Sequence, residues 1–427
     1  MDACVTAKSV FFSVFLVLCV VPRFCEGVNL VDCANNYVDR NDAIAKYFYM
    51  GFTYSEIISF LYVFNGVNIG YRQFQKILRK LGLRRNNFQR QLVYNEVIRA
   101  VEQELSKTGQ NFGYRTMQLR LKQKYHISIS RHSLGRIMRH LDPEGVQRRL
   151  RRRLHRRQYQ SNGPNNLWHI DGWDKLKQFG MCIHGCIDGY SRRVLWLEAS
   201  ATNNDPYVIC RYFSKCVRAL GGVPKTIRAD RGTENVNVED MQCILRHLQE
   251  ENPVSFIYGK STGNQRIESW WSKLGLYGMT SWISHFKNLS NYGIIDTSKE
   301  LDIQCILFCY IHLLHDELNE IVRLWNAHYI RKSTNPDQPN GRPDVLYYLS
   351  DQFGGIECLR PVCAEDLNNL SHHLTRDIPY TKESYRELFC IVMDDAGMSL
   401  PSSLEEAADL LVFLLDTVQN DINNLDE

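Results

Sequence analysis

Apolar residues recur at helical spacing through residues 41–83. Thr53-x-x-Glu56 is a capping box, and Ile57, Ile58, Phe60, Leu61 and Phe64 follow it. Asn65-Gly66 breaks the run. Tyr71, Phe74, Ile77, Leu78 and Leu81 resume the period with Arg72, Lys76, Arg79 and Lys80 between them, and Gly82 ends it. Two short helices joined by a glycine-containing turn, the second one basic, predict a helix-turn-helix. A second module follows, with helices expected over Val93–Leu105, Gly113–Tyr125 and Ser130–Leu141. The last of these carries Arg131, His132, Arg136, Arg139 and His140, and Asp142-Pro143-Glu144-Gly145 is expected to stop it. The competing reading of both modules is a plain bundle with solvated basic faces.

From Leu167 the period changes to that of strands. Leu167–Ile170 leads into Asp171; Met181–Ile187, the turn Asp188-Gly189-Tyr190-Ser191 and Val194–Ala199 complete a three-strand meander. Asp205-Pro206 opens a helix that Gly221-Gly222 closes. Pro224–Ala229 reads as a strand ending at Asp230, Val238–Leu248 as a helix, Val254–Tyr258 as a strand, and Asn264 opens a helix holding Glu268. The order βββ-α-β-α-β-α predicts an α/β domain with a mixed sheet. Leu301–Ala327 reads as helix. From Thr381 two amphipathic helices are expected, the second capped by Ser402-x-x-Glu405.

Composition narrows the class. With 427 residues, 44% of them hydrophobic and 23% charged, the chain suits several well-cored domains and not a disordered polymer. No apolar run reaches the roughly 20 residues of a bilayer span, so no membrane role is expected. Val10–Val21, after Lys8, has the length of a signal-peptide core. It conflicts with the chemistry downstream, so residues 1–35 are set apart as a leader, with a secretory signal as the competing reading. The net charge of +4 conceals a gradient: residues 1–160 sum to +16 and residues 333–427 to −13. The basic front predicts a polyanion partner. Seven arginines crowd into Arg148–Arg157 (Arg148, Arg149, Arg151, Arg152, Arg153, Arg156 and Arg157), predicting an extended linker that binds phosphates or directs nuclear import. The 14 cysteines contain no C-x2-C pair. Cys182/Cys186 and Cys305/Cys309 are expected to be buried thiols, and Cys358, Cys363, His372 and His373 fit no zinc spacing.

Three acids stand at element ends or on a helix face: Asp171, Asp230 and Glu268, with 58 and 37 residues between successive members. Any one alone reads as a turn former. Asp174, Asp188, Glu198 and Glu234 are rivals, of which Asp188 is best read as hairpin chemistry and Glu234 as a loop cap. Together with their flanks the three acids resemble a known family. Trp168-His169-Ile170-Asp171-Gly172, Arg228-Ala229-Asp230-Arg231-Gly232-Thr233-Glu234-Asn235 and Asn264-Gln265-Arg266-Ile267-Glu268 are similar to the core of retroviral-type integrases and related DDE transposases, over about residues 165–329. The likeness is greatest to eukaryotic integrase core domain-containing proteins.

That resemblance implies a ribonuclease H-like fold and metal-dependent cutting and joining of DNA. It implies two Mg2+ (or Mn2+) ions, with Asp171 bridging both, Asp230 holding one and Glu268 the other. It further implies a homo-oligomer. Asn264, Gln265 and Arg266 become candidate contacts to substrate phosphates, with helix-start chemistry as the competing reading. Trp271 is expected near the acids and Trp270 in the core. A domesticated descendant that binds nucleic acid or protein without catalysis is the second hypothesis. The zinc module and basic barrel that flank retroviral cores are missing. The expected organisation is a helix-turn-helix-like module at 36–90, a second helical module at 91–145, an Arg-rich linker at 146–164, the core at 165–330 and an acidic, mostly helical region at 331–427. That last region is expected to pair with the arginines or to dock a protein partner. A nuclear location is expected.

Overall fold

A computed structural model describes residues 39–83, 90–150, 161–248, 254–259, 263–332, 338–376 and 379–426. The apolar leader and Arg151, Arg152, Arg153, Arg156 and Arg157 lie outside them. The front of the chain is helical: α1 Arg40–Tyr49, α2 Tyr54–Asn65, α3 Tyr71–Lys80, α4 Arg90–Ser106, α5 Tyr114–Tyr125, α6 Arg131–Leu141 and α7 Pro143–Leu150. The capping box that opens α2 is formed in full: the Thr53 hydroxyl accepts from the Glu56 amide and the Glu56 carboxylate from the Thr53 amide. Gly66 closes α2 with φ 63°, a left-handed conformation that costs glycine little.

Asp142-Pro143 ends α6 at Leu141, as expected, and also opens the next helix. The Asp142 carboxylate accepts from the Gly145 amide at 2.9 Å, and proline at the first helical position is already set to a helical φ. The dipeptide therefore starts α7, which takes Arg148 and Arg149 into a helix where an extended strap was expected.

The core elements are β1 Leu167–Trp173, β2 Cys182–Asp188, β3 Val194–Ser200, α8 Pro206–Leu220, β4 Gly222–Val223, β5 Thr226–Asp230, α9 Val236–His247, β6 Phe256–Gly259 and α10 Gln265–Leu274. Five strands form one sheet in the order β3-β2-β1-β5-β6; β2 is antiparallel to both β3 and β1, while β1, β5 and β6 run parallel. This is the mixed sheet with flanking helices that the element order predicted, and it has the ribonuclease H-like architecture that the resemblance implied. Asp188 is hairpin chemistry: its carboxylate accepts from the Ser191 amide and hydroxyl and from the Asn165 amide. One face of the sheet carries α8 and α9 on Trp168, Ile170, Phe213 and Ile227; the other carries α10 and a long helix.

A π-helical turn over Gly275–Met279 joins α10 to α11 Thr280–Asn291, and α12 Glu300–Asn326 follows. The remaining elements are α13 Pro343–Tyr348, β7 Arg360–Pro361, α14 Ala364–Leu374, α15 Glu383–Asp395 and α16 Leu404–Asp426. The cap of α16 lies one residue beyond the expected one, the Ser403 hydroxyl accepting from the Glu406 amide. The apolar faces of α15 and α16 (Phe389, Leu410, Leu411, Leu414) are spent against α12. The acidic tail is thus part of the core's helical layer. The front is tied in as well. Val345 and Leu349 complete the core of α1–α3, and Asp344, one residue beyond Pro343, pairs at 2.9 Å with buried Arg193.

Candidate active site

Adjacent parallel strands place the first two acids. The β1–β5 register pairs Leu167 with Thr226, Trp168 with Ile227 and His169 with Arg228. Two residues further along the same register, Asp171 and Asp230 fall on one face of neighbouring strands, which are spaced about 4.8 Å in a sheet. The parallel pairing stops at His169, so the two strands part where the acids lie. Asp171 was expected to end its strand but lies inside it, because β2 continues to pair with β1 as far as Trp173. Glu268 comes from the first turn of α10, which packs across β1 and β2.

Each pair among the three carboxylates interacts. Burial first, then the negative charges of Asp230 and Glu268, push the Asp171 carboxyl up to about 7; the Trp271 indole and the Gly172 amide oppose this. Burial also raises Asp230, against a hydrogen bond from Asn264, and burial followed by Asp230 raises Glu268. Mutual elevation marks an excess of negative charge that a cation would relieve. Asp230 Oδ1 is buried without a hydrogen-bond partner, an unsatisfied acceptor of the hard-oxygen type divalent ions prefer. Among the described residues no three His, Cys, Asp or Glu side chains stand close enough to hold an ion as placed. The fit is therefore in donor chemistry and electrostatics, with final approach of the carboxylates left to binding.

The supporting contacts are ones that spacing did not show. The Trp271 indole N–H donates to Asp171 Oδ2 at 2.8 Å. It reaches there across β2 at Gly185, the residue opposite Asp171, where a Cβ would lie 2.8 Å from the ring. Trp270 is core, its ring tilted against that of Trp325. Asn264, the N-cap of α10, is buried. Its amide donates to the Ile170 carbonyl at 2.9 Å, and its Oδ1 lies 2.7 Å from His169 Nδ1. Burial, with Arg266 and Arg228 nearby, lowers His169 to about 3 and keeps it neutral, so its Nδ1–H donates to Asn264.

Two of the candidate DNA contacts have partners within the chain. Asn264 faces inward because it bridges β1 and α10. Arg266 donates to the Gly189 carbonyl at 2.9 Å and anchors the β2–β3 turn. Gln265 remains partly exposed. The only sign of these roles in the sequence was spacing: Asn264 and Trp271 lie four before and three after Glu268, on its helix face. The buried thiols match expectation: Cys182, Cys186, Cys305 and Cys309 are all buried.

Residues 158–341 match a family model described as an integrase core domain, a span that contains all three acids. None of the curated proteins compared with the chain matches it.

Proposed function

We propose, from the match of residues 158–341 to an integrase core domain, that this span is a catalytic core of the retroviral type and the protein a DDE polynucleotidyl transferase that cuts and joins DNA strands, with Asp171, Asp230 and Glu268 as its catalytic carboxylates. The observation that carries the reading is the placement of three acids on β1, β5 and α10, where burial raises all three carboxyls and the charges of Asp230 and Glu268 raise Asp171 further, a load that a cation would relieve. A pair of divalent cations, Mg2+ or Mn2+, supplies Lewis acidity to a scissile phosphate and to its nucleophile when bound.

The rest is done by the chain's own groups. Asp171 and Asp230 would hold the ions from the sheet and Glu268 from the helix. The Trp271 indole fixes one oxygen of the Asp171 carboxylate. Asn264 holds α10 against β1, setting the separation between Glu268 and Asp171. Glu268 is exposed, so the site opens to a long polymer.

The test incubates the full chain with labelled duplex DNA and Mg2+ or Mn2+, following strand cleavage and transfer. Activity should fall below detection in Asp171→Asn and in Glu268→Gln. Transfer that persists in either variant refutes the site; binding without any cleavage in the parent protein favours the domesticated, non-catalytic reading.

A further inference from the structure

A cleft of about 690 Å3 lies where the two helical modules meet the core. Its lining includes Arg115, Lys122, Arg131, Arg342 and His328, and no Asp or Glu. Lys122 sits 4.0 Å over the Phe48 ring. Arg342 is engaged by Glu56 and by the Gly51 carbonyl at 2.7 Å. These two cations are structural and supply a fixed positive field. Arg115 and Arg131 differ. Arg115 Nε is buried without a hydrogen-bond partner, and Arg131 is exposed, touching only the Gln118 amide oxygen, at 3.3 Å, among the hydrogen bonds described for it.

The charge is unbalanced enough to act on a neighbour. Burial first, then Arg342, Lys273, Arg115 and Arg331, lower His328 to about 4. Three helices also start at this wall: Thr53 caps α2, Arg115 lies in the first turn of α5, and Ser130 caps α6. Their N-terminal amides add positive potential of the same sign. The walls are held in place. The Gln123 amide donates to the Met50 carbonyl and the Tyr49 and His126 rings meet edge to face, so the cleft exists before any ligand arrives.

We infer that this cleft is a binding site for backbone phosphates of the DNA substrate, with Arg115 and Arg131 as the groups that grip them. The inference rests on the reading of the protein as a DNA-processing enzyme. It locates the grip in a preformed cleft, where the sequence pointed to the arginine run. The geometry connects it to the acids: Lys273, whose charge reaches His328, lies near the end of α10, the ten-residue helix whose first turn holds Glu268. Such a helix spans about 15 Å, so a strand seated in the cleft passes within a few nucleotides of the carboxylates. A row of phosphates suits the site better than a small anion, because cations line the cleft from both modules and from the core.

The experiment measures anisotropy of a fluorescein-labelled 20-base-pair duplex on the full chain carrying Asp171→Asn, across a salt series. Adding Arg115→Gln with Arg131→Gln should weaken binding about tenfold or more and reduce the slope of log affinity against log salt by about 1–2, for any duplex sequence. Lys287→Gln with Lys299→Gln, exposed and remote from the cleft, should leave both values unchanged. Equal losses from the two pairs overturn the proposal, since general basicity would then account for binding. So does tight binding of inorganic triphosphate that duplex DNA fails to displace. Because the background is catalytically silent, failure here leaves the strand-transfer test standing, and failure of strand transfer leaves this one standing.

Discussion

Asn264 and Trp271 determine how the acids can work. Asn264 bonds a β1 carbonyl and a neutral His169 at once, and its amide also opposes the elevation of Asp230. Trp271 holds one oxygen of Asp171. Replacing Trp271 by Phe removes the donor together with part of the buried bicyclic ring. A hydrogen bond to a charged group is worth about 1.5–3 kcal/mol, so kcat should fall roughly ten- to a hundredfold, a larger loss than the missing ring volume causes in thermal stability; single-turnover strand transfer beside thermal unfolding reads both. An equal loss in the two measurements would make the indole a packing residue instead. At this scale the acids were legible, because residue type and flanking motif mark them. Their supports were not, since an asparagine before a helix reads equally well as a cap, a DNA contact or a buried bridge.

At the scale of elements, the site depends on how α10 crosses the sheet. Gly185 stands opposite Asp171 on β2 and leaves room for the indole; a Cβ there would come within 2.8 Å of Trp271 and 3.2 Å of Leu197. Gly185→Ala is therefore expected to cost about 1–3 kcal/mol in urea denaturation. It should also lower strand transfer by more than Trp271→Phe does, because it moves the ring and the helix behind it. The strands and helices of the core were readable from period and turn chemistry, including the Asp188 hairpin. The helix stop at Asp142-Pro143 was readable too, but not the new helix that begins there. The same pair that terminates one helix is well suited to begin the next, and only the path of the chain afterwards decides whether it does.

Across the whole molecule, the second helical module is locked to α12 through a buried cluster. Arg120 pairs with Glu104 at 3.0 Å and with Glu317 and Glu320 of α12, and the Tyr125 hydroxyl donates to Glu104 at 2.8 Å. Burial would raise Glu104, but Arg120, Lys124 and Tyr125 outweigh it and hold the carboxyl below its ordinary value. A depressed carboxyl contributes stability above the unfolded-state value, near 4.5, and loses it as pH falls through the lower folded-state value. Urea midpoints of the parent protein and Glu104→Gln should therefore differ most near pH 7 and converge as pH drops below about 4.5. A constant difference would show that Glu104 acts through packing alone. Local order was written in the linear pattern: helices, strands, the caps that begin them, and three acids with a recognisable setting are all short-range signals. Spacing along the chain carries no information about which side chain ends up buried beside which. The inward turn of Asn264, the burial of the acidic tail on α12 and the cationic cleft between distant helices were decided only when apolar surfaces from remote segments packed together.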